Sequence, residues 1–107
     1  MNEADWKAYK KNVDHWRERH LEQVNARLKN ALSDPNKTPT EAFWDTEEKL
    51  GEEAKVLQHC FREHKRSSMK FNLTLMLGHG IITKDDLSDF SGEMREGLSH
   101  YWEKASS

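Results

Sequence analysis

The stretch Thr38–Leu77, TPTEAFWDTEEKLGEEAKVLQHCFREHKRSSMKFNLTLML, decides the fold because it carries the longest helical pattern in the chain. Its start is marked by Thr38 as the N-cap, with Pro39 at the first helical position. Glu41 stands three residues after Thr38 and completes a capping box, and Thr40 is a competing cap. No proline interrupts the residues that follow, so the stretch predicts one long helix.

Apolar residues recur along this helix at a spacing of seven. They form two adjacent rows that make a heptad-like seam over about four heptads. The first row is Phe43, Leu50, Leu57, His64 and Phe71, and the second is Ala54, Phe61, Ser68 and Leu75. Small members of the seam would let another helix approach closely. The pattern predicts a dimer interface formed by Phe43, Leu50, Leu57, Phe61, His64 and Phe71.

A continuous helix over residues 39–77 would be too long for a compact domain. About 38 residues at ~1.5 Å each make a rod near 57 Å, whereas a globule of about 100 residues has a radius of gyration near 13 Å. The first stop signals are Gly78, a natural C′ residue, and Gly80. Either Gly51 or the Ser67–Ser68 pair breaks the helix, or the protein is elongated and a second copy covers the overhang, which we favour.

The charge pattern of the same helix also favours a dimer. Residues 38–58 hold six acids and two bases, and residues 59–72 hold four bases and one acid. Two such helices are complementary when they are antiparallel and centred near Val56 and Leu57, where the two copies of Cys60 would approach each other and cross-link on oxidation. The alternative is that these charges form a solvated face, since exposed pairs stabilise little.

Composition sets the outer limits on fold and function. The 107 residues predict a single domain over 1–107, and 35% hydrophobic with 34% charged residues suits an extended helical oligomer. A net charge of −2 argues against a dedicated nucleic-acid or membrane-surface protein, so nucleic acid is an unfavoured partner. No window approaches ~18 consecutive apolar residues, so we expect no membrane span. The absence of a secretory signal and the single Cys60 favour the cytoplasm.

The segments on either side of the long helix are also predicted to be helical. Residues 3–33 follow a three-and-four apolar spacing, and the turn 33–38 is short enough to fold this helix back antiparallel on the next. A loop over 78–83 leads into a helical region over 84–104. Thr83 with Asp86 resembles a capping box there, and Ser91 caps a possible final helix. The predicted fold is therefore all-α: an elongated, dimeric helical bundle.

The most apolar part of the chain is residues 72–82. Four of its apolar residues are more than one helix-pairing seam can cover. We therefore expect a hydrophobic hub here, against which the last helix packs. The alternative is an exposed site for an unknown protein partner. The four residues are Leu73, Met76, Ile81 and Ile82.

Possible metal ligands cluster at His59, Cys60, Glu63 and His64. Spacing of four places Cys60 with His64, and His59 with Glu63, on shared helix faces, as in chelating pairs of helical bundles. The bland alternatives are a hydrogen-bonded seam histidine and a small buried cysteine. Since further ligands are missing, we expect no metal and no other cofactor. A Cys60–His64 nucleophile pair is also disfavoured, because reactive thiols need exposure.

A basic stripe on the same helix comprises Arg62, Lys65, Arg66 and Lys70. It could contact phosphates, which would make the protein a nucleic-acid-associated regulator. No constellation for catalysis appears, so no catalytic residue is assigned. The sequence favours a non-enzymatic interaction or regulatory module that self-associates and binds a protein partner. The metal-binding bundle and the nucleic-acid regulator are the two alternatives.

Overall fold

The computed structural model describes residues 3–106, with side chains up to Tyr101. The described residues contain no β-strand, so the all-α prediction is confirmed. The molecule is elongated, as predicted, with extents of 52 × 28 × 17 Å and a radius of gyration of 16.3 Å. In chain order the elements are α1 (Glu3–Leu32), α2 (Pro39–Phe61), a 3₁₀ turn (Arg66–Ser68), α3 (Met69–Gly78), a second 3₁₀ turn (Lys84–Leu87) and α4 (Gly92–Ser106).

The predicted capping box begins α2. The Glu41 backbone N–H donates to Thr38 Oγ1 at 3.1 Å, and the Thr38 backbone N–H donates to Glu41 Oε1 at 2.9 Å. Pro39 takes the first position of the helix. Thr38 is therefore the cap and Thr40 is not, because the Thr38 hydroxyl satisfies a backbone donor that the first turn leaves unpaired.

The prediction of one continuous helix over 39–77 is wrong. The helix ends at Phe61, and residues 62–68, which we call the linker, separate α2 from α3. Bonds other than helical ones satisfy the linker backbone: Asn72 Nδ2 donates to the Glu63 carbonyl at 2.7 Å, and the Lys65 backbone N–H donates to Ser68 Oγ at 3.1 Å. The break lets α3 pack against α4 and α2, and Asn72 of α3 reaches Tyr9 of α1 in the buried core.

The end of α3 is marked by Gly80 rather than by Gly78. Gly80 has φ +72°, and the backbone N–H of Ile81 donates to the Met76 carbonyl at 2.9 Å. This is the pattern of a helix end closed by a left-handed residue, a conformation that glycine adopts without a steric penalty.

The hydrophobic core lies between the first part of α1 and the α3–α4 region. Tyr9 and Trp16 are its largest buried side chains, and α3 contributes four fully buried residues. The hub interpretation of residues 72–82 therefore describes their burial. The core comprises Ala8, Tyr9, Val13, Trp16, Cys60, Met69, Leu73, Met76, Leu77, Ile81, Ile82, Leu87, Phe90 and Leu98.

Beyond this core, the later part of α1 and the first part of α2 form a two-helix extension, residues 20–55, which we call the arm; the remaining described residues form the core half. The residues buried in the arm are small or polar, apart from Val24: they include Ala31, Ala42 and Thr46. Arg27 Nη2 contacts Glu53 Oε2 across the two helices at 3.2 Å.

Polar contacts join α1 to the segment after α3. Arg19 donates to both carboxylate oxygens of Asp86 at 2.9 Å. The buried carboxylate of Asp5 accepts from the Ser91 backbone N–H at 2.6 Å and from its hydroxyl at 2.7 Å. Ser91 Oγ in turn accepts from the Met94 backbone N–H at 3.2 Å, so Ser91 caps α4 as predicted. These contacts hold the core half together on one side of α1.

Candidate functional site

The arm exposes a group of large apolar side chains. Phe43 and Leu50 are 56% and 53% exposed, and Trp44 is 61% exposed with its ring packed edge-on against Phe43 at 4.9 Å. Leu32, at the end of α1, is also exposed. Four of the five large hydrophobic residues described as exposed thus belong to the arm. Large apolar groups exposed together in one region are uncommon on a monomeric protein.

The six residues of the predicted dimer interface do not form one surface in a single chain. Phe43 and Leu50 lie on the arm and Leu57 is half-buried on α2. Phe61 packs against the core, whereas Phe71 is 63% exposed on α3. His64 lies in the linker between them, so the break after Phe61 divides the predicted row in two. The interface itself stays a prediction.

The linker is positioned by a hydrogen-bonded group that the sequence did not reveal. The buried Tyr9 hydroxyl accepts from Asn72 Nδ2 at 3.1 Å and lies 2.7 Å from His64 Nδ1. The Tyr9 hydroxyl can donate one proton and accept at two lone pairs, so the tautomer of His64 sets which group donates in this contact. Burial raises the pKa of Tyr9, and the Asn72 hydrogen bond partly opposes that rise. The signal in the sequence was Asn72, a polar residue on an apolar helix face.

A groove of about 660 Å³ lies between the end of α2 and α3. It runs along the linker, and its walls are polar on the α2 side and partly aromatic on the α3 side. It is lined by Gln58, His59, Arg62, Glu63, Ser68, Phe71, Asn72 and Leu75. No cluster of converging charged groups closes it, so its chemistry is that of a helix-packing groove.

The candidate metal ligands are dispersed. α2 ends one residue after Cys60, so the spacing of four no longer places His64 on the same helix face. Cys60 is fully buried, and desolvation raises its pKa to about 11. Glu63 pairs with Lys65 at 2.7 Å, and His59 is exposed. Within residues 3–101, no three His, Cys, Asp or Glu side chains are grouped to hold a metal ion.

The burial of Cys60 bears on two ideas that depend on its accessibility: the cross-link between two copies, which was expected, and the Cys60–His64 nucleophile pair, which was disfavoured. A protonated, inaccessible thiol does not attack a disulfide or a substrate, so neither the Cys60–His64 nucleophile pair nor the oxidative cross-link between two copies is retained. The thiol contributes instead to core packing.

The partner-surface alternative for residues 72–82 is not retained. Leu73, Met76 and Ile82 are fully buried and Ile81 nearly so. Their side chains pack against α1 and the α4 region of the same chain, since the core closes around them. An interface with another protein therefore does not use them while this core is intact.

Three of the four basic residues lie in the linker rather than on one helix, and the fourth, Lys70, lies on α3 with its Nζ beside Gly97 of α4. Arg66 Nη2 contacts Glu3 Oε1 at 2.8 Å, and its guanidinium lies 5.7 Å from the Trp6 ring. Lys10 lies 5.5 Å from the same ring. Lys65 pairs with Glu63, so two of the four predicted phosphate contacts already have carboxylate partners. The fold thus brings the basic linker beside the basic start of α1.

Comparisons with protein-family models, with curated proteins and with solved structures gave no match to this chain. Among the described residues, none of the helices combines the length and the apolar character that crossing a bilayer requires.

Proposed function

We propose that this protein is a non-enzymatic helical interaction module that forms a homodimer through its arm. The observation that carries the proposal is the exposure of Phe43 and Leu50, seven residues apart on one face of α2. A two-helix arm buries apolar surface on one side only, because it has no third layer. A second copy supplies that layer without any further protein.

The geometry of α2 suits an antiparallel pair. Gly51 and Ala54 lie on or beside the apolar stripe and let two helices approach closely. An arrangement centred near Leu50 sets Phe43 of each copy against Leu57 of the other. Within one chain, the pairing of Glu3 with Arg66 and of Arg27 with Glu53 supports an antiparallel α1–α2 hairpin as the unit that dimerises.

The test is to remove one apolar residue from the stripe and compare it with a matched change elsewhere on α2. Leu50→Ser is the test variant, and Lys55→Ser is the control, because Lys55 is exposed and lies about 140° around the helix from Leu50. Sedimentation equilibrium gives the dimer dissociation constant for each chain.

We expect Leu50→Ser to weaken dimerisation by about tenfold or more, as for a central interface residue. Lys55→Ser should leave the dissociation constant within about threefold of the parent chain. A parent chain that stays monomeric at all accessible concentrations, or equal effects of the two variants, would refute the arm interface.

A second candidate function is contact with a nucleic-acid backbone at the basic end of the molecule. The observation that favours it is the proximity of Arg66 to Trp6, because the ammonium of Lys10 lies over the same ring and the linker therefore adjoins a basic residue of α1. Phosphate contacts release counterions, so binding would weaken steeply with added salt. Fluorescence anisotropy with a labelled single-stranded oligonucleotide tests this, and Lys10→Glu with Arg66→Glu should abolish any binding seen.

A further inference from the structure

The linker interrupts a helix although it contains no residue that forces a helix to end. Residues 62–68 contain neither glycine nor proline, and no non-glycine residue in the described chain has a positive φ. Arg62 keeps helical angles of φ −71° and ψ −41°, whereas Lys65 is extended at φ −121° and ψ 156°. A few residues leave the helix, and they are held by local bonds to Ser68 and by the Asn72 and α1 contacts of the linker.

The apolar pattern also continues through the linker. Six residues from Leu57 to Leu75 follow the alternating four-and-three spacing of a helix-pairing seam, and their midpoint is residue 66. None of the six is buried, although all of them belong to the core half. They are Leu57, Phe61, His64, Ser68, Phe71 and Leu75. One chain therefore leaves this seam partly uncovered, with Phe71 the most exposed member.

The seam is self-complementary about its midpoint. When two continuous helices lie antiparallel and centred on residue 66, Leu57 of one faces Leu75 of the other, and Phe61 faces Phe71. Within one chain α2 and α3 already lie against each other, and the groove between them is lined in part by the seam residues Ser68, Phe71 and Leu75. The α3 helix of a second copy can take the place of the chain's own α3 against α2.

We propose that the linker is a hinge and that two copies of this chain exchange their α3–α4 segments. In the exchanged dimer α2, linker and α3 form one continuous helix, and the α3–α4 segment of each copy packs on α1 of the other. This goes beyond the arm contact, because the surface that receives the partner is the core-facing side of α1.

The exchange preserves the contacts between α1 and the α3–α4 segment, whereas the contacts of α1 with the linker, Glu3 with Arg66 and Tyr9 with His64, rearrange. Asp5 binds Ser91, Arg19 binds Asp86, and Tyr9 binds Asn72 of the partner subunit with the same groups that meet within one chain. Only the linker changes conformation, which is why exchange of identical elements is a low-cost route to a dimer. The continuous helix over 39–78 would be about 60 Å long, longer than the 52 Å extent of the single chain.

The substitution Arg66→Pro distinguishes the folded-back single chain from the exchanged dimer. Arg66 is the first residue of the 3₁₀ turn, and Lys65 before it is extended, as a residue preceding proline should be. Proline is therefore tolerated in the folded-back chain. In a continuous helix it removes a backbone bond and clashes with the preceding turn, which disfavours that form by roughly a hundredfold. Arg66→Ala is the matched control, since it also removes the exposed contact with Glu3.

The experiment uses full-length chains that carry Leu50→Ser, so that the arm contact is absent. Each is unfolded in urea, refolded at high protein concentration, and separated by size-exclusion chromatography with light scattering. We expect Leu50→Ser and Leu50→Ser/Arg66→Ala to yield dimer, and Leu50→Ser/Arg66→Pro to yield at least tenfold less. Equal dimer yields for the proline and alanine chains, or no dimer from any chain, would overturn the exchange.

Covalent trapping identifies the exchange independently of proline. Asp5→Cys with Ser91→Cys, in a chain with Cys60→Ala, places two thiols where the Asp5 carboxylate meets the Ser91 hydroxyl at 2.7 Å. Oxidation of the dimer fraction should give linked dimers on a denaturing gel. Links confined to single chains in that fraction would refute the exchange while leaving the arm interface, which the Leu50→Ser comparison tests separately.

Discussion

The two ends of this molecule are built from the same α1 helix but from different amounts of apolar material. In the core half, α1 presents Tyr9 and Trp16 to α3 and to the α4 region, and each of these aromatic side chains is buried. In the arm the same helix presents Val24 and Ala31 to α2 alone. Aromatic residues supply most of the burial energy of a small domain, so the core half carries most of its stability.

This difference shows which part of the protein leaves apolar surface exposed to solvent. Apart from Phe71, the core half covers its large apolar residues wholly or in part, whereas the arm has two helices and leaves Leu32, Phe43, Trp44 and Leu50 exposed. A helix pair with small residues between its members gains little from packing within one chain. We therefore expect the arm to depend on a partner and the core half to be stable without one.

The largest expected effect comes from a core leucine. Leu73 is fully buried, so Leu73→Ala should lower the free energy of unfolding by about 2–5 kcal/mol, which includes the cost of the cavity. The same change at the exposed Leu50 should cost within about 0.5 kcal/mol in the monomer. Urea denaturation followed by circular dichroism at low protein concentration measures both. Equal losses would mean that arm and core are not energetically distinct.

The linker contact should give the next largest effect. Asn72→Ala leaves the Glu63 carbonyl and the Tyr9 hydroxyl without their donor, which should cost about 1–3 kcal/mol. Thr74→Ala on the same helix removes only the hydrogen bond from the Thr74 hydroxyl to the Lys70 backbone carbonyl. This change should cost less than about 0.5 kcal/mol. If both variants unfold at the same urea concentration, the Asn72 group does not hold the linker.

A smaller effect is expected at the start of the arm. Thr38→Ala removes the hydroxyl that caps α2 and should cost about 1 kcal/mol, whereas Thr40→Ala should be nearly neutral. Thermal unfolding of the two variants checks this. A larger loss in Thr40→Ala would identify Thr40 as the cap instead.

The smallest effects distinguish the two regions by their pH dependence. Burial lowers the pKa of His20, Glu53 raises it in opposition, and Arg27 and His79 lower it further. His20 Nε2 has no hydrogen-bond partner among the described atoms, and Glu53 Oε2 is 4.0 Å away. His20 binds a proton more readily in the unfolded chain than in the folded one. The free energy of unfolding should therefore have its full value above about pH 6.5 and decline as the pH falls below it. His20→Leu should remove that decline in urea titrations between pH 7 and 5.

Asp86 should respond at lower pH. Burial alone would raise its pKa, but the Arg19 ion pair and the Thr83 backbone donor outweigh burial and lower it. A carboxyl group with a lowered folded pKa stabilises the protein above its unfolded value, about 3.9, and that contribution is lost as the pH falls through the folded pKa. Asp86→Asn should therefore flatten the stability profile below pH 4 and leave the His20 window unchanged. If Asp86→Asn instead flattened the stability profile near pH 6, the assignment of the pH 6 window to His20 and of the low-pH window to Asp86 would be contradicted.

The exposed arm residues were predictable and the rest of the interface row was not. Phe43 and Leu50 lie within an uninterrupted part of α2, so their shared face follows from periodicity. Phe61, His64 and Phe71 lie around the linker, where the face of each residue depends on contacts with α1. The metal-ligand cluster and the basic stripe were both placed on one helix through residue 64 and beyond, and the end of α2 at Phe61 changes the faces on which their members lie.

Local chemistry in the sequence determined where helices begin: the Thr38 capping box, the Ser91 cap and the short turn after α1 involve neighbours along the chain, whose geometry is set by a few residues. Tertiary structure decided which apolar residues are covered, and together with the local bonds of Ser68 it decided where the long helix breaks. Asn72 meets Tyr9 from 63 residues away. No pattern over one turn of helix reports such a contact, because the two residues come together only when the chain folds back into one core.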